Sequence, residues 1–141
     1  MPSSTDNPKV SVIVPLYNSE RFVAAAVESI LQQSYPPYEI IVIDDGSSDS
    51  SPEKLSPYQN DIHYIYQNNQ GVAAARNRGI QQATGDLIAF LDHDDYWFPN
   101  KLEKQVATWQ QNPTWGIIHS GWRRVDTWGN PLGDITPWQK A

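Results

Sequence analysis

The amino-acid sequence predicts an α/β fold with a mostly parallel central sheet and helices on both faces. Short apolar, β-branched segments alternate with segments in which apolar residues recur at helical spacing. The first two strands, at residues 10–16 and 39–43, are nearly continuous in apolar character, which is typical of strands buried on both faces. Acidic residues follow the second and fourth strands, at the edge where open α/β sheets bind ligands.

The other elements continue this alternation. Ser19 is the predicted N-cap of a first helix that ends by Ser34, before two prolines. Pro52 and Pro57 limit the next helix to a turn or two. Further helices are predicted at residues 71–82 and 100–111, and further strands at residues 62–66, 87–91 and 115–119. A hairpin with strands at 121–126 and from 132 onward is predicted around a turn at 128–131.

Length and composition are those of one globular domain. We expect a disordered leader at residues 1–8 and a single domain over residues 9–141. The chain has no cysteine, which excludes disulfides and thiolate zinc sites. Its 10 basic and 16 acidic residues give a net charge of −6, which argues against a general nucleic-acid binder.

The sequence has no sign of membrane insertion or export. No apolar run approaches the roughly 20 residues that span a bilayer, and the polar start lacks the apolar core of a secretory signal. We expect a cytoplasmic location, with any membrane association arising through the full-length protein or its partners. Five of the six tryptophans lie between residues 109 and 138, and we expect this Trp-rich C-terminal region to support self-association.

Three strand ends carry residues suited to a nucleotide diphosphate. They are residues 15–18, residues 44–47 and residues 92–95, and Arg76 lies near the start of the helix after the third strand. Because the carboxyl ends of parallel strands share one edge of the sheet, we expect these side chains to converge. Three carboxylates within residues 92–95 repel one another, so a divalent cation between them is the simplest explanation of the cluster.

Each feature alone has a simpler interpretation. Tyr17 could be an ordinary half-buried tyrosine, and Asp44 and Asp45 could cap the turn after the second strand. Arg76 could form a surface ion pair, and residues 92–95 could be a solvated acidic turn. The three histidines lack metal-ligand spacing and are interpreted as structural or exposed: His63, His93 and His119. The ordered combination, with every part at a strand end, favours the nucleotide site.

This ordered set closely resembles the family 2 glycosyltransferases, which have the GT-A fold of nucleotide-diphospho-sugar transferases. The matching segments are residues 10–18, 43–49, 71–79 and 85–95, in the family's order, and the resemblance extends over about residues 8–126. It implies a Rossmann-like three-layer α/β sandwich that binds a nucleotide-sugar donor, with a UDP-sugar as the expected donor. It also implies sugar transfer with inversion to a saccharide or lipid-linked acceptor, as in cell-surface polysaccharide biosynthesis.

The resemblance also assigns roles to the nucleotide-binding residues. Pro15, Tyr17 and Asp45 would line the nucleoside pocket, with Asp45 accepting a hydrogen bond from the uracil ring. Asp44 would support the same turn, and Arg76 would contact the nucleotide.

A second group would hold the sugar and the metal. Asp92 would face the ribose or the donor sugar, and Asp94 would bind the Mn²⁺ or Mg²⁺ ion that bridges the two phosphates. Asp95 would assist the metal or the sugar. An all-oxygen site suits either ion.

The sequence departs from the family pattern in its last third. Inverting members use a carboxylate general base well downstream of the metal site, and no such motif follows Glu103. The remaining acids, Asp126 and Asp134, are interpreted as turn residues. We therefore expect a donor-binding portion that stops before the acceptor-binding half and that alone lacks the base. A catalytically incomplete binding or interaction module is the main alternative.

Two other enzyme classes fit less well. Nucleotidyltransferases share the sheet, the acids and the metal, but they usually have a glycine-rich basic loop after the first strand, and residues 15–19 are not such a loop. Dinucleotide oxidoreductases need a G-x-G-x-x-G motif at the start of a helix, and none is found here.

Overall fold

The computed structural model describes residues 6–135. Four parallel strands form the central sheet in the order β3-β2-β1-β4, and a separate antiparallel hairpin follows them. The strands are β1 Val10–Leu16, β2 Glu39–Asp44, β3 His63–Tyr66, β4 Leu87–Phe90, β5 Trp122–Val125 and β6 Pro131–Ile135. The helices are α1 Val23–Leu31, α2 Ser51–Lys54, α3 Val72–Gln82 and α4 Lys101–Gln111, with a 3-10 turn at Ser56–Tyr58.

The predicted α/β architecture is confirmed, with helices on both faces of the parallel sheet. On one face, alternate residues of β1 such as Val12 and Val14 pack in a cluster with α1 and with Leu102 and Val106 of α4. On the other face, Ala75 of α3 packs against β2. Strands covered on both sides need apolar residues at every position, which explains the continuous apolar character of β1 and β2.

α3 lies very close to the sheet because of a single glycine. A Cβ at Gly79 would lie 2.4 Å from Cγ2 of Ile13, far inside van der Waals contact. The absence of a side chain at residue 79 therefore allows the helix backbone to approach β1.

The first helix begins later than predicted and ends, as predicted, before Ser34. It begins at Val23 and ends at Leu31, and no side chain caps its first turn. The prediction of Ser19 as N-cap is wrong, because the Ser19 hydroxyl donates to the carbonyl of His93 at 3.3 Å and its amide donates to Ser51 Oγ at 2.8 Å. Tertiary partners thus replace the local cap. The expected short helix before β3 is confirmed as α2 with the 3-10 turn.

The predicted strand at residues 115–119 is wrong. This segment forms no strand, and Ile117 is 84% exposed. Within residues 6–135, β4 pairs only with β1, and the segment does not pair with the open edge of β4. Its β-branched, apolar sequence favours a strand, but a strand also needs a hydrogen-bonded neighbour.

The predicted hairpin is confirmed as β5 and β6. Asp126 is a turn residue as expected, and its Oδ1 accepts from the amides of Trp128 and Asn130, both at 2.9 Å. The prediction for Asp134 is wrong, because it lies in β6 and pairs with Arg123 of β5 at 2.6 Å.

Two further expectations concern the ends of the chain. Of the predicted leader, residues 1–5 lie outside the described residues, whereas Pro8 is buried and its carbonyl accepts a hydrogen bond from the Tyr35 hydroxyl. Trp138 of the Trp-rich C-terminal region also lies outside the described residues. None of the helices within residues 6–135 has the length and apolar character needed to cross a membrane.

Candidate active site at the carboxyl edge of the sheet

The predicted site residues follow three adjacent strands. β1 lies between β2 and β4, so the loops that leave their carboxyl ends are neighbours. Pro15 is buried near the end of β1 and lies in register with Ile43 of β2. Tyr17, in the loop that follows, is 47% exposed, so its ring is accessible at this edge. The convergence of these strand ends is therefore confirmed.

Asp44 supports the turn after β2 from inside the protein. It is fully buried, and its carboxylate accepts from the amide of Ser47 at 2.9 Å and from the hydroxyl of Tyr64. Burial, followed by the hydrogen bond and the negative charge of Asp44, raises the pKa of Tyr64 well above its usual range. Tyr64 therefore remains a neutral donor to this carboxylate.

Asp45 connects β2 to the start of α3. It is 3% exposed, and it accepts from Gln67 Nε2 at 2.7 Å and from the amides of Gln70 and Gly71, both at 2.9 Å. Burial by itself raises the pKa of Asp45, but these hydrogen bonds more than offset it and hold the pKa below its ordinary value. A carboxylate offers about four lone-pair sites, so one acceptor position remains for a ligand donor.

Gly46 is required in the same turn. Its φ is +87°, and a Cβ there would lie 2.8 Å from the amide nitrogen of Asn69. Backbone conformation and close approach both select glycine. The turn after β2 consequently packs directly against the segment that leads to α3.

Arg76 and Asp92 form an ion pair at this edge. Arg76 Nη2 lies 2.9 Å from Asp92 Oδ1, and the two side chains are 40% and 47% exposed. The predicted orientation of Arg76 toward the strand ends is confirmed. The pair also means that Asp92 has a protein cation beside it, so the expectation of three carboxylates gathered around one metal ion is corrected.

Asp94 and Asp95 are exposed beyond this pair. The amide of Asp95 donates to the carbonyl of Asp92 at 3.1 Å, which forms a turn at the end of the segment after β4. Partial burial and then the charges of Asp94 and Asp92 raise the pKa of Asp95. The negative charge of this turn is therefore incompletely compensated.

The donor set is compatible with a hard divalent cation, although protein side chains alone do not complete a site. Among residues 6–135 there is no group of three or more His, Cys, Asp and Glu side chains arranged to hold a metal ion. Mg²⁺ commonly binds through one or two carboxylates together with phosphate oxygens and water. The exposed carboxylates of Asp94 and Asp95 match that mode of binding.

Some residues of the site were not predicted from the sequence. Tyr64 bonds to Asp44 at the end of β2, Gln67 bonds to Asp45 just after it, and Asn18 has a left-handed backbone with φ of 45°. Asn next to a strand end is a weak signal, because Asn tolerates that conformation. His93 lies within the acidic turn, and its Nδ1 is buried with no hydrogen-bond partner among the described residues.

Comparisons with known proteins agree with this geometry. Residues 11–135 match the family described as Glycosyl transferase family 2. A putative teichuronic acid biosynthesis glycosyltransferase, TuaG of Bacillus subtilis, is 44% identical over 103 residues, which is 70% of this chain and 41% of that protein. The chain spans only part of such curated relatives, between 19% and 44% of their lengths.

Solved structures of similar proteins contain nucleotide sugars. The structure of S. aureus TarS 1-349 in complex with UDP-GlcNAc is 28% identical with a TM-score of 0.67, covering 79% of this chain and 37% of that one. The mannosyltransferase PcManGT from Pyrobaculum calidifontis, in complex with GDP-Man and Mn²⁺, is 26% identical with a TM-score of 0.66, covering 86% and 36%. The expected GT-A fold is thereby confirmed. Together with the strand-end residues and the sheet order, these matches show that the chain belongs to glycosyltransferase family 2.

Proposed function

We propose that this chain binds the donor of a glycosyl transfer, a UDP-sugar, at the carboxyl edge of its sheet with the help of a divalent metal ion. The observation that carries the proposal is the grouping of Tyr17, Asp45, the Arg76–Asp92 pair and the exposed Asp94 around the ends of β1, β2 and β4. The complex of TarS with UDP-GlcNAc supports a uridine donor, because TarS resembles this chain in both sequence and fold.

The nucleoside would lie against the loop after β1. In this arrangement Pro15 and the accessible ring of Tyr17 form one wall, and the remaining acceptor position of Asp45 binds a ring N–H of uracil. Asp44 acts only from inside, because its carboxylate is already bound to Ser47 and Tyr64. A base with acceptors alone at that position would leave the remaining acceptor position of Asp45 without a donor, which disfavours such a base.

The diphosphate and the sugar would lie over the acidic turn. Arg76 contacts the nucleotide, Asp92 faces the ribose or the donor sugar, and Asp94 holds Mn²⁺ or Mg²⁺ with assistance from Asp95. A bound divalent ion supplies positive charge to the diphosphate leaving group, where negative charge grows in the transition state. The manganese in the PcManGT complex supports this assignment without choosing between the two ions.

The transfer itself would proceed with inversion to a saccharide or lipid-linked acceptor, as in polysaccharide synthesis. The resemblance to TuaG, a putative teichuronic acid glycosyltransferase, supports that acceptor class. The acceptor hydroxyl needs a general base. Asp126 and Asp134, the acids beyond Glu103, are held by contacts within the hairpin. This observation favours, as a second candidate, a nucleotide-sugar-binding module that lacks the base.

Calorimetry of UDP binding with Mn²⁺, with Mg²⁺ and with a chelator tests the proposal. We expect binding that depends on the metal, and we expect Asp94→Asn to remove most of the metal-dependent affinity. The matched control is Asp61→Asn, which makes the same change of charge in an exposed loop before β3 and should leave the affinity unchanged. Equal UDP affinity with metal and with chelator would rule out the metal role.

The two candidate functions differ in turnover. Incubation of this chain with a UDP-sugar and a panel of saccharide acceptors should yield no transfer product if it is a binding module. Transfer by this chain alone would eliminate that second candidate and would call for a base among its own residues.

A further inference from the structure

The loop after β1, residues 17–22, contains an unusual backbone conformation at Asn18. Within residues 6–135, Asn18 is the only non-glycine residue with a positive φ, and its φ is 45°. Glycine, asparagine and aspartate adopt this left-handed conformation at the lowest cost. The backbone therefore limits residue 18 to a few residue types, and the side chain must account for the choice among them.

The side chain of Asn18 joins this loop to the loop after β2, residues 45–50. Its Oδ1 accepts from the amide of Ser48 at 2.8 Å and from the amide of Asp49 at 3.3 Å. The backbone amide of Asn18 donates to Ser47 Oγ at 3.0 Å, a bond that does not need the side chain. Glycine would satisfy the backbone, but it would leave the amides of Ser48 and Asp49 without this acceptor.

Contacts further from the site continue the connection between the two loops. The amide of Ser19 donates to Ser51 Oγ, the amide of Glu20 donates to Asp49 Oδ2 at 3.0 Å, and the amide of Ser50 donates to Glu20 Oε2 at 2.9 Å. These bonds do not involve the Asn18 side chain. They should keep the loops associated, and the protein folded, when that side chain is removed.

Asn18 lies at the end of this connection that is nearest the candidate site. It directly follows Tyr17, and Ser47, which accepts from its amide, donates in turn to Asp44. The backbone next to Tyr17 and the turn that contains Asp45 are thus connected through Asn18. Rigid placement of groups around a ligand reduces the ordering cost of binding.

We propose that Asn18 is a positioning residue that holds the two walls of the nucleoside pocket together before the nucleotide binds. The inference rests on the proposed nucleotide-sugar function and adds to it a residue without an assigned ligand contact. Its loss should weaken UDP binding more than it weakens the fold, because the contacts of Ser19 and Glu20 remain.

Three variants separate the side chain from the backbone. Asn18→Gly keeps the left-handed conformation and removes the acceptor. Asn18→Asp keeps both the conformation and an acceptor oxygen. Asn130→Ala is the matched control, because Asn130 Nδ2 also bonds within a turn, to Asp126 at 3.0 Å, but in the hairpin. All four proteins, including the wild type, are compared by UDP calorimetry with Mn²⁺ at low temperature, where each is folded.

We expect Asn18→Gly to bind UDP about tenfold more weakly than wild type, since two backbone hydrogen bonds are lost at the pocket. Asn18→Asp should restore the affinity to within about threefold, and Asn130→Ala should match the wild type. Hydrogen exchange provides a readout without ligand: the amides of Ser48 and Asp49 should exchange faster in Asn18→Gly than in wild type, with little change at Ser19 or Glu20.

The outcomes distinguish the two proposals. The positioning role is overturned if Asn18→Gly binds UDP within about twofold of wild type, or if Asn18→Asp binds UDP as weakly as Asn18→Gly does. Either result would leave the proposed nucleotide-sugar function standing. Unchanged exchange at Ser48 and Asp49 would overturn the positioning role as well. A wild-type chain that binds no UDP with any metal would overturn the proposed function, and the pocket role of Asn18 would be lost with it.

Discussion

The β1–β2 pair and the region after α4 contain similarly apolar segments with opposite surroundings. Val12, Val14 and Ile41 are buried between helices, whereas Ile117 is 84% and Trp128 is 82% exposed. β1 pairs with a strand on each side, whereas the segment at residues 115–119 belongs to neither sheet within the described part of the chain. The difference teaches that apolar, β-branched sequence becomes a buried strand only where it pairs with a sheet and a second layer covers it.

The loops of the two regions differ in how far apart along the chain their hydrogen-bonded residues lie. At the carboxyl edge of the sheet, side chains such as Asn18 and Asp45 bond to amides of other loops, far away in sequence. In the hairpin, Asp126 bonds to amides two and four residues away. Long-range bonds place residues from different strands around one site, and local bonds only close a turn.

Matched isoleucine substitutions should give the largest difference in stability between the two regions. We expect Ile13→Ala to lower the free energy of unfolding by about 2–5 kcal/mol, because it removes fully buried methyl groups and leaves a cavity beside α3. We expect Ile117→Ala to change it by less than about 0.5 kcal/mol, because that side chain is already solvated. Urea unfolding measures both, and similar losses in the two variants would contradict the comparison.

Substitution of one glycine that packs against β1 and of one glycine after α4 should give a smaller difference in stability. In Gly79→Ala the new Cβ meets Ile13, so we expect a loss of about 1–3 kcal/mol from overpacking at the α3–β1 contact. A Cβ at Gly116 has no atom within 4 Å, so Gly116→Ala should be close to neutral. Thermal unfolding of the two variants, followed by circular dichroism, is the measurement. A neutral Gly79→Ala would show that α3 does not approach the sheet so closely.

The exposed aromatic surface after α4 should affect association more than stability. We propose that Trp122, Trp128 and Ile117 support self-association, because exposed apolar side chains of this size favour contact between copies. Replacing Trp128 and Ile117 together by Glu should lower the weight-average mass at high concentration, as measured by light scattering. A wild-type chain that stays monomeric at the same concentration would contradict the proposal.

The smallest expected effect concerns acid stability. The pKa of Asp45 lies below its ordinary value, so its stabilising contribution is fully present above the unfolded pKa near 3.9 and is lost as the pH falls through the folded pKa. The stability difference between wild type and Asp45→Asn should therefore shrink below about pH 4.

Asp134 in the hairpin is compared with Asp45, because its pKa also lies below the ordinary value. Its pKa is lowered by Arg123, but both groups are exposed, so salt screens their interaction. Urea unfolding between acidic and neutral pH, at low and high salt, should find the Asp45 contribution nearly independent of salt. A contribution from Asp45 that disappears in high salt would contradict the buried hydrogen-bond explanation.

Much of the site was predictable from the sequence because its residues follow strands directly. Asp45 and Asp92 each lie within two residues of the end of a parallel strand, and parallel strands bring such ends together. What those carboxylates bind was not predictable, since Gln67 and Arg76 come from other elements and reach them only in the folded chain. The predicted cap at Ser19 was wrong for the same reason.

The sequence by itself determined the order of strands and helices, the apolar interior of the parallel sheet and the edge at which the acidic residues lie. These features depend on the spacing of apolar residues and on the alternation of strands with helices, both of which follow from the order of residues along the chain. Only the tertiary structure decided that residues 115–119 remain outside the sheet, that Asp92 pairs with Arg76 and that Asn18 joins two loops. Each of these depends on which segments become neighbours, and proximity between distant segments is a property of the packed chain.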